Sequence, residues 1–228
     1  MIKIRIIFAC LIAPLLFGQL VSCSSMSAAN KSLYALDAGR PTPAPPRDPS
    51  PAQPVSSSGV SVSRDQILQI RRVNISPPYD GLSLIYRKPD GTYVKDYYNE
   101  WAAPPEELFS TQQVEFLGAS SAFASVVDGR SAAPHRYELE TCITSLYGDF
   151  HDAQHPRVVL RARVYLIDDT SGSRTVAYQN HYDIAMPLAG ASAHEMVLGA
   201  GSAYRQLLES IAKELTPFSK ATVAAKVQ

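Results

Sequence analysis

Two histidines and two aspartates are grouped in the middle of the chain, in a pattern that suggests metal binding. Asp149, His151, Asp152 and His155 are close together in the sequence, and imidazole nitrogen and carboxylate oxygen are ordinary zinc ligands. However, the four-residue spacing of the histidines aligns two ligands only on a helix. The polar residues here are followed by Pro156 and read as a loop between two strands. The sequence therefore predicts a solvated loop and no metal site.

A pair of glutamates is the second candidate for chemistry. Glu138 and Glu140 are two residues apart, which places both carboxylates on one face of a β-strand. No acid/base partner accompanies them, so both are expected to face water. His135, His181 and His194 also have no apparent partner and are expected at the surface or at a strand edge. Because the chain has no Gly-x-Ser-x-Gly elbow and no glycine-rich phosphate loop, it is predicted to be no enzyme and to need no cofactor.

Cys23 carries a clearer chemical signal, because its thiol is placed to accept a lipid. The N-terminus has Lys3 and Arg5, then an apolar run at residues 6–17, and then Leu20-Val21-Ser22-Cys23. This order is typical of a secretory signal, and the run is shorter than the roughly 20 apolar residues that cross a bilayer. The tetrapeptide resembles the lipobox of bacterial lipoprotein precursors, which are cleaved before the cysteine. An ordinary cleaved signal with an incidental cysteine, or an uncleaved anchor, is the alternative.

A lipid at Cys23 would fix the mature chain to a membrane, since two lipid signals suffice for stable anchoring. Ser24 follows the cysteine where an Asp would retain an enterobacterial lipoprotein at the inner membrane, so the outer membrane, facing the periplasm, is favoured over the inner membrane. Cys10 leaves with the signal, so Cys142 is the only remaining thiol and the domain has no internal disulfide. The formal net charge of zero provides no basic surface for nucleic acid.

The chain divides into four segments by composition. Residues 1–22 are the predicted signal peptide, 23–59 a lipidated N-terminus and proline-rich linker, 60–216 a folded domain, and 217–228 a tail. The linker contains seven prolines between positions 41 and 54, and such density favours an extended chain. It is either a spacer below the domain or an insertion after a first short strand. Residues 33–36 decide between these alternatives, because a strand there would make the proline segment a loop.

The pattern of apolar residues predicts an α+β fold, with two main helices over a mostly antiparallel sheet in a single domain. Predicted strands cover residues 66–75, 82–86, 92–98, 123–127, 137–146, 158–167 and 175–185. A first helix begins at Pro104 and Pro105 and ends near Leu117. The second helix is capped by Ser192 and Glu195 and is expected to end at Pro217. Its apolar stripe consists of Met196, Ala200, Tyr204, Leu207, Leu208, Ile211 and Leu215.

One strand shows which face of the sheet is covered. Residues 158–166 place apolar side chains at every even position, while Arg161 and Arg163 point to the opposite side. The apolar face must be covered by a helix, and the face with the arginines meets solvent or a partner.

Taken together, the ordered motifs resemble the ABC-type transport auxiliary lipoprotein family, whose best-known members are PqiC-type lipoproteins. The resemblance rests on the lipobox, Tyr34-Ala35-Leu36, Ile75-Ser76-Pro77-Pro78-Tyr79-Asp80, residues 82–87, the segment from Tyr97 to Trp101 followed by Pro105 and Leu108, Phe123-Ala124-Ser125-Val126-Val127, Tyr137-Glu138-Leu139, Val158-Val159-Leu160-Arg161-Ala162 and an alanine-rich last helix. The proline insertion and Ala103-Pro104 depart from the family pattern.

The resemblance implies a non-catalytic lipoprotein that docks a lipid-transport machine at the outer membrane. Its partners would be an MCE-domain protein with an ABC permease and ATPase, and a homo-oligomer is possible. Tyr79, Trp101, Arg161 and Arg163 are candidate contacts, because aromatic and arginine side chains dominate interface energetics; for Trp101 a place in the core, and for Tyr79 a place in a packed turn, are the competing interpretations. The alternatives are an activator of peptidoglycan synthesis and a lipopolysaccharide-assembly lipoprotein.

Overall fold

The computed structural model describes residues 30–41, 62–120, 122–170 and 172–224, with side chains up to residue 219. The predicted signal peptide, Cys23 and most of the proline-rich segment lie outside these residues. The described part contains two α-helices, α1 (Pro105–Ala119) and α2 (Ala193–Ala224), and a short 3-10 helix at Arg64–Gln66. Its strands are β1 (Ser32–Tyr34), β2 (Ile67–Ile70), β3 (Asn74–Ile75), β4 (Ser83–Arg87), β5 (Tyr93–Trp101), β6 (Ser125–Asp128), β7 (Tyr137–Asp149), β8 (Arg157–Thr170) and β9 (Ser173–Pro187).

β7 organises the sheet. Along one edge it pairs antiparallel with β8, which in turn pairs antiparallel with β9. Along the other edge it pairs in turn with β2, β3 and β4, all parallel to it. β4 continues antiparallel to β5, β1 adds to β5, and β6 adds to β2. The predicted α+β class is confirmed, and the long ladders are antiparallel as expected, while the short pairings on the other side of β7 are parallel.

The strand predicted over residues 66–75 is divided in the structure. β2 ends at Ile70 and β3 begins at Asn74, with exposed Arg71 and Arg72 between them. The backbone N–H of Val73 donates to Ser110 Oγ of α1 at 2.8 Å instead of to a neighbouring strand. A continuous strand is therefore wrong here, because a helix side chain satisfies the backbone where the ladder is interrupted.

Helix α1 begins where the sequence predicts. Pro105 occupies the first turn, where a missing N–H costs nothing, and Glu106 and Glu107 lie at the positive end of the helix dipole. Phe109 and Phe116 are buried against the sheet.

Helix α2 covers the apolar face of β8. Ser192 Oγ accepts the backbone N–H of Glu195 at 3.2 Å, as the predicted N-cap requires. The whole predicted stripe, from Met196 to Leu215, is buried. The predicted end at Pro217 is wrong, because α2 continues through it to Ala224. The ring of Phe218 packs edge-on against Tyr137 and Tyr178, and these tertiary contacts support the turn that proline weakens.

A strap formed by residues 34–39 follows β1 and crosses both helices. The backbone of Ala38 is held at 3.0 Å by Gln112 of α1 and at 2.7 Å by Arg205 of α2. The sequence left open whether residues 33–36 join the fold, and the structure includes them through β1 and the buried Leu36. The proline-rich segment therefore follows a strand of the domain.

Candidate partner-binding surface

The sheet has one face covered by α2 and one face on which no helix of the described residues packs. Val158, Leu160, Ala162, Val164 and Leu166 of β8 are buried under α2, as the sequence predicted. The odd-numbered residues of β8 point the other way, and Arg161 and Arg163 are exposed there. We call this side the helix-free face.

Three tyrosines meet on the helix-free face. Tyr147 of β7 is stacked with Tyr79, with ring centroids 6.0 Å apart, and lies edge-on to Tyr93 of β5 at 5.1 Å. Ile85 and Val159 pack beside Tyr147 in a small apolar cluster separate from the main core. Rings in such offset and edge-on arrangements add about 0.5–1.5 kcal/mol per pair to their burial, so the cluster is rigid enough to present a defined surface.

The hydroxyl groups of Tyr79 and Tyr147 remain protonated at physiological pH. Burial is the largest cause that raises the pKa of Tyr147 to about 12, and a hydrogen bond with Tyr93 adds to it. Burial also raises the pKa of Tyr79. Both of these hydroxyl groups are therefore neutral.

Arg161 lies beside this cluster. It sits in register between Ser145 of β7 and Asp183 of β9, and its Nε donates to Asp183 Oδ2 at 2.9 Å. The hydrogen bond with Asp183 is the main cause that raises the pKa of Arg161. Both partners are exposed, so the pair contributes only about 0–1 kcal/mol to stability. Arg161 is thus positioned for recognition more than for folding.

Arg163 occupies the next position on the same face, in register between Cys142 and His181. It is exposed and has no ion-pair partner within the described residues. The structure therefore brings together three of the four predicted contact residues, Tyr79, Arg161 and Arg163. Sequence reasoning did not select Tyr93 and Tyr147. Strict alternation along β7 would place Tyr147 on the same face as Ile143, and only the register shift between Ile143 and Ser145 turns it to the helix-free face.

Trp101, the fourth candidate, belongs to the core. It is only 2% exposed, and its ring lies edge-on to Phe109 of α1 at 6.1 Å. It ends β5 immediately before α1 begins, where the chain turns inward. Burial removes Trp101 from the candidate contacts and supports its competing interpretation as a core residue.

Glu138 corrects a prediction, since it does not face water. It is 6% exposed, and its Oε1 lies 3.2 Å from Arg71 Nε and 3.1 Å from Arg174 Nη2. Both contacts are ion pairs that compensate the buried carboxylate. Glu140 pairs with Arg71 at 2.8 Å. The arginines that bury Glu138 come from distant segments.

Glu138 lines a charged cleft of about 1130 Å³ between α1 and the ends of β2 and β6. The cleft contains four arginines, each of which forms an ion pair with an acidic side chain of the chain itself: Arg71, Arg72, Arg130 and Arg174. The helix-free face adds an aromatic cluster and an arginine without an ion pair among the described residues, Arg163, so we regard it as the stronger candidate surface.

The histidines and aspartates that are close together in the sequence do not form one site in the structure. Asp149 is buried and accepts two hydrogen bonds from Arg157, at 3.1 and 3.0 Å. Asp152 pairs with the exposed His155 at 2.8 Å, and His151 lies in the same loop. Among the described residues, no three His, Cys, Asp or Glu side chains are grouped so as to hold a metal ion.

The fold and this surface define a class: a single α+β domain with helices on one side of its sheet and an open aromatic and arginine face on the other. The chain belongs to the family of ABC-type transport auxiliary lipoprotein components, whose family model matches residues 48–212. This result confirms the resemblance found from the sequence. No helix in the described residues is long and apolar enough to cross a membrane.

Solved structures share the fold. A protein from Xanthomonas campestris of the DUF330 family superposes with a TM-score of 0.58 at 14% identity, covering 69% of this chain and 87% of that one. The crystal structure of an uncharacterized protein gives a TM-score of 0.55 at 20% identity, covering 66% and 92%. At such low identity these likenesses concern the fold alone. No curated protein matches the sequence.

Proposed function

We propose that this protein is a non-catalytic, lipid-anchored component of an ABC/MCE-type lipid-transport system. In this role it docks the periplasm-spanning MCE-domain protein, with its permease and ATPase, at the outer membrane. The observation that carries the proposal is the match of residues 48–212 to the ABC-type transport auxiliary lipoprotein family.

The N-terminal sequence supports the anchored part of the proposal. Leu20-Val21-Ser22-Cys23 follows a short apolar run and has the form of a lipobox. Ser24 is compatible with transfer to the outer membrane. A lipid at Cys23 holds the domain at the surface of the bilayer without a spanning helix.

The helix-free face supports the docking part. Its tyrosine cluster and Arg161 are the side-chain types that contribute most to protein interfaces. Tyr93 and Arg161 project from strands, which position them precisely enough for specific binding, and Tyr79 lies in a turn and stacks on Tyr147. Arg163 has no ion pair within the described structure and is free to bind a carboxylate of a partner. We therefore assign the contact with the MCE-domain protein to Tyr79, Tyr93, Arg161 and Arg163, and the buried Tyr147 packs behind the two other tyrosines.

The two alternative functions, activation of peptidoglycan synthesis and lipopolysaccharide assembly, have less support. An activator of peptidoglycan synthesis was suggested by a spacer between the lipid and the domain, but β1 joins the sheet ahead of the proline-rich segment. A lipopolysaccharide-assembly role calls for a basic surface, and the chain carries 21 basic and 21 acidic residues. Neither alternative has an observation in its favour.

Site-specific photo-crosslinking in membranes tests the proposal. A photoreactive phenylalanine analogue replaces Tyr93 or Arg163 on the helix-free face, and Leu198, an exposed residue of α2, serves as the matched control position. We expect the first two positions, but not the third, to capture the MCE-domain protein, as identified by mass spectrometry. Capture of a peptidoglycan synthase or an outer-membrane barrel would overturn the proposal.

A substitution at Arg161 separates binding from folding. Arg161→Ala removes an exposed pair and should change the free energy of unfolding by about 1 kcal/mol or less. If Arg161 is an interface anchor, the same change should weaken partner binding by more than about 1 kcal/mol, roughly fivefold or more. Affinity measured by calorimetry with the purified partner, together with denaturation midpoints, gives both values; unchanged affinity removes Arg161 from the interface.

A further inference from the structure

Strand β5 contains a large, irregular bulge opposite β4. Ile85 pairs with Lys95 and Ser83 pairs with Glu100, so one residue of β4 faces four residues of β5. The additional residues, 96–99, have no partner on β4, while Asn99 still pairs with Ser32 of β1. Bulges of this kind commonly redirect side chains towards a functional surface.

Asp96 fixes the bulge in one conformation. Its Oδ1 accepts the backbone N–H groups of Tyr98 and Asn99 at 2.8 and 3.0 Å. Its Oδ2 accepts the Asn99 side-chain amide at 2.8 Å and the Tyr86 hydroxyl at 2.9 Å. Four hydrogen bonds satisfy the carboxylate, so the bulge is held in place by its own polar network.

The bulge presents two aromatic rings to the outside. Tyr97 is 71% and Tyr98 is 52% exposed, and the two rings are edge-on at 5.1 Å. On the adjacent β1, Leu33 is 63% exposed, and the ammonium of Lys31 lies 5.2 Å from the centre of the Tyr97 ring. We call Lys31, Leu33, Tyr97 and Tyr98 the β1–β5 patch. Single exposed apolar residues are ordinary, but a group of them marks an interaction surface.

The patch lies where the N-terminal segment enters the fold. Cys23 is eight residues before Lys31, and an extended chain spans at most about 3.6 Å per residue. A lipid on Cys23 therefore keeps this edge of the sheet within roughly 30 Å of the bilayer. The opposite edge is formed by β9, four strand pairings further from β5 across the sheet.

The residue types of the patch suit the bilayer interface. Tyrosine rings favour the level of the lipid headgroups, where their apolar bodies are buried and their hydroxyls remain hydrated. Lysine reaches from this depth to the aqueous side. Because Lys31 already pairs with Glu100 at 2.6 Å, the contact depends more on the rings than on anionic lipid.

We propose that the β1–β5 patch lies in the headgroup region of the membrane that carries the lipid anchor, and so orients the domain on that membrane. This inference rests on the proposed lipid at Cys23. The anchor makes the second contact intramolecular, so that even a weak insertion of two rings is populated. The bilayer, rather than a protein, is the occupant of this surface.

Depth-dependent quenching of tryptophan emission tests the inference on the full, lipidated protein in vesicles containing brominated phospholipid. Trp101 is the only native tryptophan and is buried in the core, so it provides a constant background. The reporter is Tyr97→Trp, and the matched control is Val176→Trp, which is 56% exposed on β9. We expect brominated lipid to quench the Tyr97→Trp variant and to leave the control unchanged.

Flotation of the same vesicles tests the lipid anchor at Cys23 separately from the membrane contact of the β1–β5 patch. If the Tyr97→Trp variant floats with the lipid but its emission is the same in vesicles with and without brominated phospholipid, the anchor is retained and the patch contact is overturned. Protein that does not float overturns the anchor and the patch contact together. If the emission of the Tyr97→Trp variant responds to the purified transport partner but not to lipid, the patch is a protein interface and the inference is wrong.

Discussion

A buried polar network connects three elements of the core through single side chains. Tyr204 of α2 donates its hydroxyl to the Phe109 carbonyl at 2.9 Å and to Gln113 Oε1 at 3.2 Å. Gln113 of α1 in turn donates to Thr141 of β7 at 2.9 Å. Burial raises the pKa of Tyr204 well above its ordinary value, so the hydroxyl keeps its proton. The network fixes α1 against α2 because unsatisfied buried groups are costly.

Removing the Tyr204 hydroxyl tests this network. Tyr204→Phe keeps the ring packed against Phe109 but leaves Gln113 with a buried acceptor. We expect the free energy of unfolding to fall by about 1–3 kcal/mol, measured by urea denaturation. Tyr97→Phe, which removes a hydroxyl from an exposed ring, is the matched control and should change it by less than about 0.5 kcal/mol. Equal effects would show that the network is not stabilising.

A second prediction concerns the acid stability of the ion pair between Arg136 and Asp168. Arg136 donates to both carboxylate oxygens, at 2.9 and 2.8 Å. The hydrogen bond from Arg136 is the main cause that lowers the pKa of Asp168 below its ordinary 3.8. An acid with a lowered pKa stabilises the fold at pH values above 3.8, and this stabilisation is lost as the pH falls through the native pKa.

Asp168→Asn should therefore lower the free energy of unfolding at neutral pH by on the order of 1 kcal/mol. The variant should also lose less stability than the wild type when the pH is lowered from neutral to strongly acidic. Urea denaturation across that range measures both effects. Glu209→Gln, at an exposed carboxylate of α2, is the control and should leave the profile unchanged. If the stability of the Asp168→Asn variant depends on pH as in the wild type, the ion pair with Arg136 does not contribute to acid stability.

At the scale of elements, the strap and α2 approach each other unusually closely. Gly201 of α2 faces the carbonyl of Asp37, and a Cβ at this position would lie 2.2 Å from that oxygen. Glycine is unfavourable within a helix by about 1 kcal/mol relative to alanine. It is kept here because the backbone of the strap occupies the space of a side chain.

Gly201→Ala should therefore destabilise the protein by about 1–3 kcal/mol despite the gain in helix propensity. The matched control is Gly199→Ala, where the nearest obstacle is the flexible end of the Leu188 side chain. That variant should be less destabilised, since a side chain can move and the strap backbone cannot. Thermal denaturation of the two variants measures the difference; a more stable Gly201→Ala would contradict the close approach.

At the scale of the whole molecule, the two proposed surfaces lie on different parts of the sheet. The β1–β5 patch is at the edge nearest the predicted lipid, and the helix-free face carries Tyr147 and Arg161 further across the sheet. One surface is thereby available to the membrane while the other remains available to a transport partner. Both depend on the chain being anchored at its N-terminus.

Cys23→Ala tests this anchor directly. The variant should lose incorporation of radiolabelled fatty acid and should disappear from the outer-membrane fraction, because the sulfur that carries the diacylglyceryl group is gone. Cys142→Ala is the matched control: it removes a half-buried thiol near Asn74 and should leave labelling and fractionation unchanged. Continued labelling of the Cys23→Ala variant would exclude this anchor.

The sequence by itself determined the elements whose signal is local. The stripe of α2, the alternation of β8 and the strands β4 and β5 were all predicted, because burial of one face imposes a fixed period on neighbouring residues. The turn between β4 and β5 is equally local, since Gly91 has a φ of 83° and the side chain of Asp90 accepts the backbone N–H of Thr92. The family resemblance followed from the order of these same local patterns.

Only the tertiary structure decided the features that join distant parts of the chain. β1 pairs with β5, more than 60 residues later, Glu138 is buried by Arg71 and Arg174, and α2 passes Pro217 because Phe218 reaches Tyr137. The gathering of Tyr79, Tyr147 and Arg161 on one face is of the same kind. Such contacts depend on which residues meet across the fold, and no periodicity within a single segment records that choice.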